Sequence, residues 1–205
     1  MSTLKLTYFA IKGRAEPIRL AFHIGGIAFE DHRIGHEEWP ALKPTLPFQQ
    51  LPVLSIDGKI VAQSNGLLRF AGSLGKLYPV DPFQAALVDQ IIFQIQDIKD
   101  LLIPTFKESD EAKRIALREK IAKENWPKQL EGLEKVLTTY GGRYAVGDTL
   151  TIADIVIYIV VGDMKSGKYD GVPKNVLDPF AKLNRFYKNV LEHPKVVAWE
   201  ESHKV

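Results

Sequence analysis

An α/β layer followed by an all-helical domain is the architecture this sequence predicts. Three observations carry it. Leu4-Lys5-Leu6-Thr7-Tyr8-Phe9 alternates like a half-buried strand. Asp57-Gly58 joins two short apolar runs, a strong hairpin signal. After Leu77-Tyr78-Pro79-Val80-Asp81-Pro82, which holds two prolines, the apolar pattern is helical throughout.

The elements follow in order. Ala15 to Ile24 carries Ile18, Ala21 and Phe22 at helical spacing, with Pro17 in its first turn and Gly25-Gly26 closing it. Phe29 to Ile34 reads as a second strand. Leu51 to Ile56 and Lys59 to Ala62 form the hairpin, and Ser64 caps a helix running to Gly75. The order β-α-β-loop-β-β-α places a first domain at 1–76, a linker at 77–82 and a helical domain at 83–205. In that second part, Phe83 to about Phe106 has a long apolar stripe interrupted by Pro104. Glu111 to Tyr140 is a charged helical segment in which Pro127 should bend or break the helix. Thr151 to Val161 is apolar nearly all round, so it should be a buried central helix. Asp178 to Leu191 follows, and His193-Pro194 separates a short last helix.

Composition narrows the function. A formal charge of +2 with interspersed signs lacks the basic block of a nucleic-acid binder. The longest apolar run, Ile155 to Val161, is far short of the ~20 residues of a membrane span, and no charged leader with an apolar core opens the chain. A soluble, cytoplasmic protein with neither nucleic-acid nor membrane partners is expected. With no cysteine, there is no disulfide, no cysteine-ligated zinc and no cysteine nucleophile, so any sulfur chemistry must use a substrate's sulfur. His23, His32, His36, His193 and His203 show no metal spacing, and no metal is expected.

An ordered set of fragments carries a resemblance. Leu6-Thr7-Tyr8-Phe9, Gly13-Arg14-Ala15-Glu16-Pro17-Ile18-Arg19, Glu37-Glu38-Trp39-Pro40, Lys43-Pro44, Pro47-Phe48, Leu51-Pro52-Val53-Leu54, Gln63-Ser64-Asn65 and Gly147-Asp148-Thr149-Leu150-Thr151-Ile152-Ala153-Asp154 span nearly the whole chain. Together they resemble the sigma class of cytosolic glutathione transferases, the class that includes haematopoietic prostaglandin D synthases. The resemblance implies a thioredoxin-like first domain, a homodimer, and glutathione as co-substrate with no other cofactor.

It also implies roles. Tyr8 would donate its phenol hydrogen to the glutathione sulfur. A thiol that titrates near ~8.5 is mostly protonated at neutral pH, and the thiolate is the nucleophile, so a hydrogen bond that favours the charged form activates it. Tyrosine, titrating near ~10, keeps its proton for that bond. Without the resemblance, Tyr8 is equally an aromatic ending a strand. Arg14 would support the thiolate electrostatically. Leu51-Pro52 would form a cis-proline turn that lets the Leu51 backbone pair with the cysteinyl part of glutathione. Gln63 and Ser64, at a helix start whose free N–H groups attract a carboxylate, would take the γ-glutamyl end; Ser64 can also be an N-cap. Trp39 and Lys43 would hold the glycyl end by an indole N–H and an ammonium. Gln50 stands where relatives often have lysine and would contact the peptide. Asp97 would reach the γ-glutamyl ammonium of the neighbouring subunit. Phe93 and Gln96 beside it break up the acidic cluster of some relatives, arguing against a divalent-metal site there. An apolar electrophile site is expected beside the Tyr8–Arg14 loop, with Phe9, Gly13, Phe106 and Trp199 as its residues. Thr151-Ile152-Ala153-Asp154 is a capping pattern, so Asp154 should serve folding and not catalysis.

Glutathione conjugation to hydrophobic electrophiles is the leading expectation. A glutathione-dependent prostaglandin-type isomerase uses the same thiolate, and a non-catalytic crystallin-like or ligand-carrying protein uses the same scaffold. Thiol transfer of the omega type is excluded by the missing cysteine.

Overall fold

The computed structural model describes residues 2–203; Met1, Lys204 and Val205, which fall in the domain ranges expected above, lie outside the described residues. The chain forms two compact units. One runs to Tyr78 and takes in the stretch from Pro194 on, and the other is Pro79–His193.

In the first unit, β1 (Leu4–Phe9), α1 (Glu16–Gly25), β2 (Glu30–Ile34), β3 (Val53–Ile56), β4 (Lys59–Ala62) and α3 (Ser64–Leu74) build a thioredoxin-like layer, with the short α2 (Trp39–Leu42) and a 3-10 turn (Lys43–Thr45) before β3. The four-stranded sheet has the order β2-β1-β3-β4. β1 pairs parallel with β2 across the α1 crossover and antiparallel with β3, and β3–β4 is the hairpin expected at Asp57-Gly58. Leu6, Ile18, Leu20, Phe22, Leu54 and Leu67 are completely inaccessible and form the core. α1 and α3 cross so closely that a Cβ on Gly25 would stand 2.4 Å from the Gly75 Cα. Gly25 therefore serves helix packing, beyond the helix-ending role its sequence suggests.

Several boundaries differ from the sequence reading. β3 begins at Val53, because the Leu51–Pro52 peptide before it is cis and lies outside the ladder. Ser64, expected as a cap, is the first residue of α3; Gln63 holds the cap position with φ of 77°. The 39–45 segment, read as loop, contains two short helical turns whose prolines Pro40 and Pro44 stand at helix starts.

The second unit is helical: α4 (Pro82–Asp100), α5 (Glu111–Lys120), α6 (Trp126–Tyr140), α7 (Ile152–Lys165) and α8 (Ala181–Leu191). Asp81 caps α4 by accepting from the Gln84 N–H at 2.8 Å. Pro104 does not continue α4 but opens a 3-10 turn, Ile103–Phe106. Between α5 and α6 the backbone widens into a π-turn over Ile121–Asn125, just before Pro127. Proline lacks the N–H and crowds the carbonyl four residues back, and the widened turn relieves both without breaking the rod. α7 is buried from Ile152 through Val161 and packs against α4 and α8. The Asp154 carboxylate accepts from the Ala145 N–H at 2.7 Å and from the Thr151 N–H and hydroxyl at 2.9 Å each. It is a fully buried capping residue. Burial raises its carboxyl to about 6, against the pull of those hydrogen bonds.

Sequence order alone leaves the last helix, α9 (Pro194–Ser202), with the helical domain. Instead it packs on α1 and belongs to the first unit. No helix among the described residues is long and apolar enough to cross a membrane.

Candidate active site

Tyr8 is held near the end of β1 with only 8% of its surface exposed. The β1–β3 ladder ends at the Thr7–Val53 pair, so Tyr8 and Pro52 are the residues just beyond its end. The loop from Ala10 to Arg14 turns back over the phenol, and the Arg14 N–H donates to Tyr8 Oη at 3.2 Å. The oxygen thus accepts from the backbone, and its own hydrogen remains to be donated elsewhere.

Gly13 makes this turn possible. Its φ is +46°, and a Cβ there would lie 2.6 Å from Tyr8 Oη and 2.8 Å from Cε1. Gly13→Ala is expected to displace the hydroxyl and cut turnover about tenfold or more, with about 1–2 kcal/mol of backbone strain. Steady-state kinetics beside a thermal melt check this; unchanged kinetics would show that the close approach is irrelevant.

Beside this loop is a cleft of about 460 Å³, within the size range of small-molecule sites. Arg14, Trp39, Gln50, Leu51, Pro52, Gln63 and Ser64, all expected from the sequence, line it together with Phe48, Gln49 and Ala62. Arg14 therefore ties the cleft to the Tyr8 hydroxyl. The lining holds an arginine and no carboxylate, which favours an anionic ligand. At one end, α3 presents the N–H groups of its first turn, which have no intrahelical acceptor. Gln63 keeps a positive φ there, a strained backbone of the kind that collects at ligand sites.

Other expected residues stand apart from this set. Lys43 is exposed on the 3-10 turn after Trp39 and does not line the cleft. Phe9 packs among aromatic rings, 5.7 Å from Tyr8, 5.5 Å from Trp39 and stacked at 5.3 Å on His36. Asp97 is exposed on α4 in the helical unit. Phe106, also in that unit, is 59% exposed beside Tyr169, whose phenol burial pushes well above its usual range, with the Arg118 guanidinium over its ring. Trp199, in α9 of the first unit, is 5% exposed, and its indole N–H donates to Glu16 Oε1 at 2.8 Å. Among the described residues no His, Asp and Glu side chains group to hold a metal.

Phe48, Gln49 and Ala62 were not read from the sequence as site residues. Pro47-Phe48 and the Gln49-Gln50 pair adjoin Leu51-Pro52, which was a signal; the positive φ of Gln49 was not. A larger opening of about 620 Å³ lies in the helical unit between α6 and the 176–180 stretch. It holds none of the expected residues, and its Glu134 is occupied capping the Lys182 and Leu183 N–H groups. The smaller, polar cleft at the cis proline is the better candidate.

A thioredoxin-like layer with a cis-proline cleft, a tyrosine near the end of its first strand and a following helical domain define a two-domain class of thioredoxin-fold proteins. The chain belongs to the glutathione S-transferase family: residues 4–71 match the model of the glutathione S-transferase N-terminal domain and residues 96–203 that of the C-terminal domain. Glutathione S-transferase 1 of Ascaris suum is 36% identical over 202 residues, covering 97% of this chain and 96% of the relative. The structure of prostaglandin synthase D of Nilaparvata lugens superposes with a TM-score of 0.87 at 30% identity, covering 99% of both chains. A structure described as monomeric Na-GST-3, a glutathione S-transferase of the hookworm Necator americanus, gives a TM-score of 0.82 at 32% identity, covering 98% of this chain and 97% of the other.

Proposed function

We propose that this protein is a sigma-like, tyrosine-type glutathione transferase that conjugates glutathione to hydrophobic electrophiles. The observation that carries the reading is the Tyr8 hydroxyl, fed by the Arg14 N–H, next to a carboxylate-free cleft built on a cis proline. In this reading glutathione lies in the cleft with its γ-glutamyl carboxylate at the α3 N-terminus, Gln63 and Ser64. Its cysteinyl backbone lies along Leu51, its peptide by Gln50, and its glycyl end toward Trp39 and Lys43. Tyr8 donates to the sulfur, and the thiol proton leaves to solvent. The thiolate, with Arg14 nearby, attacks the electrophilic carbon. Phe9 and Gly13 are proposed to face the electrophile.

Conjugation of glutathione to a dinitrohalobenzene tests this directly: the carbon–sulfur bond forms as halide departs. Activity with saturable glutathione binding is expected. Absence of glutathione binding by calorimetry would sink the reading. Binding without conjugation favours the second reading, a glutathione-dependent isomerase, which the likeness to a prostaglandin synthase supports. Binding with neither reaction points to a carrier. The reading includes a cytoplasmic homodimer in which Asp97 of one protomer reaches the γ-glutamyl ammonium of the other. Sedimentation velocity decides that part, since a fully active monomer would remove it.

A further inference from the structure

The arginine of the first helix has surroundings that the proposed reaction does not use. The Arg19 side chain is wholly buried, and Glu16, one turn before it, is 2% exposed. Its Nε donates to Asp31 Oδ1 at 2.9 Å, and one terminal nitrogen, Nη1, donates to Glu16 Oε2 at 3.1 Å. The same Nη1 reaches two backbone carbonyls, Ile11 at 2.8 Å and Lys12 at 3.3 Å. Those carbonyls belong to the exposed loop that leads straight into Gly13 and Arg14, the two residues that enclose the Tyr8 hydroxyl. The guanidinium carbon also stands 5.9 Å from the centre of the Tyr8 ring. A buried cation therefore anchors both the loop and the ring face of the residue proposed to activate the thiol.

Glu16 is held from its other side. Its Oε1 accepts the indole N–H of Trp199 in α9 at 2.8 Å. The exposed pair Lys12–Glu200, at 2.6 Å, ties the same loop to the same helix. Among the described residues the remaining guanidinium nitrogen, Arg19 Nη2, is buried with no hydrogen-bond partner. That vacant donor offers Glu16 an alternative: a carboxylate freed from Trp199 can turn toward Nη2 and rotate the guanidinium off the Ile11 and Lys12 carbonyls.

We propose that Arg19 is a positioning residue for the Tyr8 hydroxyl, and that Trp199 of the C-terminal helix sets it through Glu16. The inference rests on the thiolate reading and adds a residue relay to it. Lysine cannot replace the arginine, because one ammonium does not present donors to Asp31, Glu16 and two carbonyls in the spread geometry of a guanidinium.

Trp199→Phe is the decisive variant, since it keeps the ring and removes only the N–H. Arg19→Lys is the companion. The readouts are the titration of the bound glutathione thiol by thiolate absorbance and the separate kcat and KM for glutathione. For Trp199→Phe the bound thiol should titrate about half a unit to one unit higher, with kcat down about three- to tenfold and KM within about twofold. In a Tyr8→Phe background the same change should add almost nothing, because both act through one hydroxyl. A folded Trp199→Phe protein with the wild-type thiol titration and kcat would overturn the proposal. So would losses that persist undiminished in the Tyr8→Phe background. If Tyr8→Phe itself leaves the thiol titration unmoved, the thiolate reading has failed. If Tyr8→Phe raises it and Trp199→Phe does not, only the relay has failed. Should Arg19→Lys fail to fold, the Trp199 pair still decides.

Discussion

Tyr8→Phe is expected to lower turnover about 10²-fold and to raise the titration of bound glutathione. The substitution keeps the ring that packs against Phe9 and lies under Arg19, and removes one oxygen. Two bonds go with that oxygen. The Arg14 N–H loses its acceptor, worth about 1 kcal/mol, which should move the thermal midpoint by only a few degrees. In the proposed mechanism the sulfur also loses its donor, and a thiol whose titration moves back toward ~8.5 surrenders its charged form. The sign follows from which form the bond favours: an O–H donated to sulfur stabilises thiolate over thiol, so its loss raises the pH at which activity appears. The acid limb of the profile, where activity rises with pH, should therefore shift upward, and part of the lost rate should return at high pH. Wild-type kinetics in a folded Tyr8→Phe protein would take Tyr8 out of the mechanism.

Asp154→Ala should do the reverse, costing about 3 kcal/mol of stability while leaving the activity of each folded molecule nearly unchanged. Three donors, the Ala145 N–H, the Thr151 N–H and the Thr151 hydroxyl, lose their common acceptor at the start of a buried helix. The thermal midpoint should fall by roughly 6–12 °C. Its pH dependence has a definite sign. The folded carboxyl titrates at about 6 and the unfolded one near 3.8, so between those values the folded state holds the extra proton. The stability Asp154 contributes is thus fully present below the lower value and declines as pH rises toward the upper one. The gap between wild type and variant should be wider near the acid end of that window than at neutrality. Denaturant melts at both ends measure it, and a gap that widens toward neutrality would contradict the assignment of burial as the main influence.

The sequence singles out both residues, for different reasons. Asp154 belongs to a local pattern: a Thr followed three residues later by an acid, ahead of an apolar run, specifies a cap through backbone geometry alone. The β1 alternation, the Asp57-Gly58 turn and the all-apolar α7 are local in the same sense, and each formed where its residues indicate. Tyr8 was legible only through the ordered set of fragments around it, since a tyrosine in a strand says little by itself. The same set indicated most of the cleft lining, because Trp39, Leu51-Pro52 and Gln63-Ser64 occupy fixed stations along one domain.

What the sequence determined by itself was the order of elements, the proline-marked change from α/β to helix, the cap at Thr151–Asp154 and the impossibility of cysteine chemistry. Each depends on residues close in the chain or on composition, where propensity, turn geometry and residue chemistry act without long-range partners. Only the tertiary structure decided that α9 returns to α1, that Trp199 spends its N–H on Glu16, and that Arg19 sits buried with its donors on the loop around Tyr8. These depend on groups separated by as many as 183 positions. A buried charge must find its partners wherever the packed core brings them, and no local pattern announces where that will be.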